Sequence, residues 1–141
     1  MLASTRVGTG ILTRIYHATT TDGGITIYPD GTVPTEGYAV GLNRDAARRV
    51  VPVQRFRDRG LSILQDWLAT VGLRNVLRGE GAAIGTWYER ASGLVWLEPS
   101  LVLADWPSAR DAALMECQRY VFDLAAGDTL PVCEVRPCVN P

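Results

Sequence analysis

Lysine is absent from this 141-residue chain; all fourteen basic residues are arginine. No Schiff-base lysine and no Walker-type phosphate lysine can therefore operate. Histidine occurs once, at His17, which excludes a histidine-based metal site. Cysteine occurs three times, at Cys117, Cys133 and Cys138. That is too few for two zinc-ligand pairs, and an odd count suggests no disulfide framework, which fits a reducing cytosol. No apolar run approaches the ~20 residues of a membrane span. The opening MLASTRVGTGIL lacks a signal-peptide core. A cytoplasmic location without a membrane partner is the expectation.

Catalytic signatures are missing as well. GxSxG does not occur, which removes the usual nucleophile elbow. GEGAAIG at 79–85 is rich in glycine but precedes a strand pattern. A dinucleotide fingerprint needs its glycines after a strand and opening a helix. Glu89 and Glu98 flank a hairpin pattern and read as exposed strand-end carboxylates. His17 and Cys133 are the remaining candidates for a small enzyme, and nothing in the sequence brings them together. No catalytic residue, metal site or cofactor is assigned.

What is present is a single domain's worth of core, with 47% hydrophobic residues in 15.4 kDa. A chain of this size buries roughly two thirds of its unfolded surface. The expected organisation is a flexible N-terminus over 1–10, one α+β domain over 11–135 and a tail over 136–141. ILTRIYHAT reads as a strand at 11–19, ITIY as a strand at 25–28, and EGYAVGL as a strand at 36–42, together a small β-meander. RDAARRVV at 44–51 suggests a helical turn limited by Pro52. Leu61, Leu64, Trp67, Leu68 and Val71 repeat with helical period after Asp58. RNVLRGEG at 74–81 reads as a connection.

AAIGTWYE (82–89) and LVWLEPSLVL (94–103) predict a hairpin, with Gly93 supplying positive φ at the turn. Pro99 should break or bulge the second strand. Asp105 before Trp106-Pro107 predicts a capped helix to about Gln118 with a small-residue face. YVFDL (120–124) and TLPVCEV (129–135) read as strands joined by a turn. The fold class is α+β: a mainly antiparallel sheet with two helices on one face. From Gly37 onward the order fits a βαββαβ, ferredoxin-like core with an added N-terminal β-hairpin. Two helices packed in another order on an antiparallel sheet is the alternative.

Charge is uneven. Residues 44–78 carry a net +5 and residues 79–141 a net −5. The reading favoured is that the two segments pair within the domain; the sharper one is a charged partner. Arg55, Arg57 and Arg59 alternate around Phe56 as on an extended segment, a pattern that can bind phosphate and stack bases. Trp87 and Tyr88 are neighbours on one strand, so they point to opposite faces. Tryptophan, tyrosine and arginine are the residues enriched in interface anchors.

GYAVGL (37–42), GTWYERASGLVWLEPSLVLADWPSARDAA (85–113) and YVFDLAAGDTLPV (120–132) form a shared pattern: a G-W-Y-x-x-x-x-G hairpin, an aspartate-led helix and an aromatic-Asp-Leu strand end. On these residues the chain resembles uncharacterised small α+β proteins of actinobacterial phages, prophages and conjugative elements. The resemblance covers about the last two thirds, implies an accessory protein of a mobile element, and carries no assigned activity. The expected function is a non-enzymatic binding protein that docks on a protein partner or on its own copies. Arg55, Arg57, Arg59, Trp87 and Tyr88 are the expected contact residues. Nucleic acid bound through the Arg-rich 44–78 segment is the first alternative.

Overall fold

The computed structural model describes residues 8–42 and 47–132. It is an α+β fold built on a curled, half-barrel antiparallel sheet of seven strands. The elements run α1 (Thr9–His17), a π turn (Ala18–Asp22), β1 (Gly24–Ile27), β2 (Tyr38–Gly41), β3 (Arg49–Pro52), α2 (Val53–Leu68), α3 (Val71–Val76), β4 (Ala82–Glu89), β5 (Leu94–Leu103), α4 (Trp106–Met115), β6 (Tyr120–Asp123) and β7 (Asp128–Pro131). No helix among the described residues is long and apolar enough to cross a membrane.

The segment expected as a strand at 11–19 is helix α1. Leu12, Ile15 and Thr19 are its buried positions, a three-then-four spacing that helix geometry turns inward. Its β-branched residues suit a strand by propensity, but packing on α2 decides. Tyr16 stacks on Phe56 with ring centroids 5.6 Å apart, and its hydroxyl donates to the Arg57 carbonyl at 2.6 Å. Thr19 and Thr20 donate their hydroxyls back to the carbonyls of Ile15 and Tyr16, competing with the backbone ladder where the helix widens into the π turn. Gly23, at φ 94°, ends it. The expected N-terminal hairpin is thus absent. β1 pairs with β4, and β2 pairs with β5 and β6.

The predicted hairpin is the spine of the sheet. β4 and β5 pair from Ala82↔Leu101 to Glu89↔Leu94, with Gly93 at φ 72° in the turn. The other edge of β5 is shared. β3 takes Leu94–Leu97 and β2 takes Ser100–Leu103. β2 ends at Gly41 opposite Ser100 and β3 begins at Arg49 opposite Leu97, so Glu98 and Pro99 lie between the two registers. Arg49, Val50 and Val51, expected at the end of a helical turn over 44–51, are in strand β3. Pro99 does not interrupt β5, which runs unbroken through it. The Pro99 carbonyl accepts from Leu42 N at 2.9 Å, so its missing N–H falls on the edge where the partner changes and costs no bond to β4.

Helix α2 starts at Val53, not at Asp58. Pro52 precedes it, and the Val53 N–H donates to the Gly93 carbonyl at 2.8 Å. Phe56, Gly60, Leu64 and Trp67 face inward. The helix kinks at Arg59 (φ −133°, ψ 22°), where Gly60 lies against the Tyr16 ring. The Trp67 indole N–H donates to the Ala47 carbonyl at 2.7 Å, anchoring the helix to the chain two residues before β3. Part of the expected 74–81 connection is α3. Asp105 caps α4 as expected, its carboxylate accepting from Ser108 N at 2.8 Å. Ala109 and Ala113 are fully buried against Val40 and Val121.

α1 and α2 cover one core, with Ile27, Ile84, Val95 and Leu97 beneath them. α4 covers a second, with Val40, Val121, Tyr38 and Leu103. The register places Leu97 and Leu103 on the same side of β5. All this packing is therefore on one face of the sheet, as expected. Cys117, placed in a helix by the sequence pattern, lies just beyond α4 with φ 58°. It is disulfide-bonded, against the expectation of no disulfide, and its partner is outside the described residues, as are Cys133 and Cys138.

Candidate functional site

The opposite face of the sheet carries Trp87 and Trp96, paired directly across β4 and β5, and then Gly85 opposite Glu98 and Ala83 opposite Ser100. Val50 stands opposite Trp96 on β3, Gly41 opposite Ser100, and Phe122 beside Ala39. No described helix packs here. Val50 (40%), Trp87 (55%), Tyr120 (58%) and Phe122 (37%) are exposed on this face. They are four of the seven large apolar side chains exposed among the described residues.

The centre is recessed and made of small residues. Ala39, Ala83 and Ser100 are buried. A Cβ on Gly85 would stand 2.5 Å from the Ser100 hydroxyl. A Cβ on Gly41 would stand 2.7 Å from Glu98 Oε1 and 3.4 Å from Gln118 Nε2. Bare backbone at Gly41 thus gives the Glu98 carboxyl its place, with the Gln118 amide beside it. Arg48, the residue before β3, also reaches this centre. Its guanidinium lies over the Trp96 ring, 5.6 Å from the centroid.

Two polar groups at this centre lack partners. The Trp96 indole N–H is buried and makes no hydrogen bond. Such orphans are few in native proteins, and each one costs stability. Glu98 makes no hydrogen bond or ion pair among the described residues. Burial raises its pKa, and the charge of Arg48 offsets part of that rise. Arg48 is close enough to act through the field but does not pair with it. Glu98 is thus a half-buried, mid-strand carboxyl, not the exposed strand-end residue expected from sequence. Glu89 lies at the hairpin turn, bonded to the Ser92 hydroxyl, and the two carboxylates do not form a pair.

The expected contact residues are divided between two places. Trp87 is on the bare face. Tyr88 turns to the helical side, packed against the larger core. Arg55, Arg57 and Arg59 are all exposed, but they belong to helix α2 and not to an extended segment. Helical spacing sends Arg55 and Arg59 to one side and Arg57 to another. Arg57 alone reaches Tyr88, 5.8 Å from the ring centroid, and Arg90 joins it at 5.1 Å. Of the expected pairing between the basic and acidic segments, the described residues show the charge of Arg48 acting on Glu98, and no ion pair between the two segments occurs among them.

His17 is exposed at the end of α1, edge-on to Tyr16, and Cys133 lies outside the described residues. No group of three or more His, Cys, Asp or Glu side chains able to hold a metal occurs among the described residues. The sequence pattern gave Trp96 and Arg48 no role and placed Glu98 as an exposed strand-end carboxylate. The signal was present as alternation, since Trp96, Glu98 and Ser100 share one face of a strand. No family model, curated protein or solved structure matches the chain.

Proposed function

We propose that this is a non-enzymatic binding protein that docks a protein partner, or a second copy of itself, on the bare face of its sheet. The observation that carries the reading is the gathering of Val50, Trp87, Tyr120 and Phe122 on that one face. They surround a recess holding the unbonded Trp96 indole N–H and the Glu98 carboxyl, which has no partner among the described residues. Exposed apolar patches rimmed by polar groups mark interaction sites, and aromatic side chains are the usual anchors. The core is read as a βαββαβ, ferredoxin-like unit with β2 and β3 together as its first strand. The neighbour order β4-β5-β2-β6 supports this. An accessory role in a mobile element belongs to the same proposal.

The test is photo-crosslinking in the native host, with a benzophenone side chain placed at Trp87 or Phe122. Adducts of discrete mass should form from these positions and not from Leu61 or Met115 on the helical side. Equal labelling from all four, or none from the sheet positions, would overturn the reading.

A nucleic-acid reading has one specific observation in its favour. Two guanidiniums, from α2 and from the hairpin turn, converge on the Tyr88 ring without a carboxylate. It requires salt-dependent retention on single-stranded DNA that is lost when Arg57 and Arg90 are both changed to alanine.

A further inference from the structure

We propose that the recess on the bare face receives a basic side chain, arginine or lysine, presented by the docked partner to Glu98. This deepens the docking reading and rests on it. The acceptors are already assembled. The Glu98 carboxyl lies over Gly41 and has no donor among the described residues. The Gln118 amide flanks the same point, and the Ser100 hydroxyl lies over Gly85 one register step away.

A half-buried carboxylate whose counter-charge is incomplete is costly. Arg48 meets that need only in part: its charge acts on Glu98, but its guanidinium lies on the Trp96 ring. That contact also shows that the wall beside Glu98 takes a guanidinium on an aromatic face. The second indole, Trp87, stands directly across from Trp96 and has its surface open. Aromatic faces beside an acid form the usual setting for recognising a side-chain cation. The buried Trp96 N–H asks for an acceptor, and a peptide carbonyl next to the inserted side chain provides one. The glycines at 41 and 85 leave the depth for entry.

The experiment titrates the full chain with N-acetyl-arginine methylamide and N-acetyl-lysine methylamide near neutral pH. N-acetyl-norleucine methylamide is the uncharged control. Binding is followed on the indole N–H signals of the tryptophans by heteronuclear NMR. The Trp87 and Trp96 signals should move saturably with at least one cationic probe, while that of buried Trp67 stays still. The norleucine probe should bind at least tenfold more weakly. Glu98→Gln should weaken the cationic probe at least fivefold, whereas Glu36→Gln, an exposed acid elsewhere, should not. No saturable shift, a norleucine affinity within tenfold, or a loss of under fivefold in Glu98→Gln would each overturn the inference. Probe failure with persistent crosslinks from Trp87 removes the basic side chain and keeps the docking surface. Crosslink failure with intact probe binding removes the protein partner instead.

Discussion

The two faces of the sheet are built from the same strands and solve different problems. On the helical face every large side chain has a neighbour: Trp67, Phe56, Leu64, Ile84 and Leu97 are buried together. Its polar atoms are matched too, with Thr19 and Thr86 joined at 2.6 Å and the Trp67 indole bonded to Ala47. On the bare face a tryptophan pair is left half open, one indole N–H has no acceptor, and one carboxyl has no donor among the described residues. The first arrangement is what stability selects. The second is tolerated at a cost in stability, and unmatched groups of this kind concentrate where a protein meets something else.

Substitutions should separate the faces sharply. Trp67→Ala, on the helical face, should cost about 3–5 kcal/mol, read as a shift of the denaturant midpoint at constant slope. Gly60→Ala would drive a methyl into the Tyr16 ring at the α2 kink. A loss of about 1–3 kcal/mol is expected, and Tyr16→Ala in the same chain should recover part of it. Thr19→Val leaves the Thr86 hydroxyl without its partner and should cost about 1–3 kcal/mol in the same assay.

Glu98→Gln on the bare face should do the opposite. Burial holds the folded-state pKa above the ordinary 4.5. The folded chain thus binds this proton more tightly than the unfolded chain does. The carboxyl is unfavourable once ionised, and neutral in effect below 4.5, where both states are protonated. The variant should therefore unfold at higher denaturant than the parent at neutral pH, and the gap should close as pH falls below 4.5. Smallest in stability is Trp87→Ala, within about 0.5 kcal/mol of the parent, while its loss should abolish crosslinking from Phe122.

Much of the covered face was legible in the residues. The hairpin at 82–103, the Asp105 cap with its alanine face and the strand at 120–123 follow from alternation, turn chemistry and capping, which are local. α1 was not legible, because Ile11, Thr13, Ile15 and Thr19 satisfy a strand pattern nearly as well as a helical one. α2 was placed late because its start depends on Pro52 and on a carbonyl forty residues away at Gly93. The arginines at 55, 57 and 59 were recognised as exposed, but their grouping depended on a helix where an extended segment was expected. Of the site, only Trp87 was foreseen.

The sequence by itself determined the hairpin at 82–103, the Asp105-capped helix and the absence of lysine chemistry. Each follows from side-chain period, local capping or residue identity, and none needs a distant partner. Tertiary structure alone decided that β2 and β3 share one edge of β5, with Glu98 and Pro99 between their registers. From that break follow the glycine floor at 41, the recessed Glu98 and the arginine laid on Trp96. The environment of a carboxyl is set by which backbones approach it, and those approaches span more of the chain than any local pattern records.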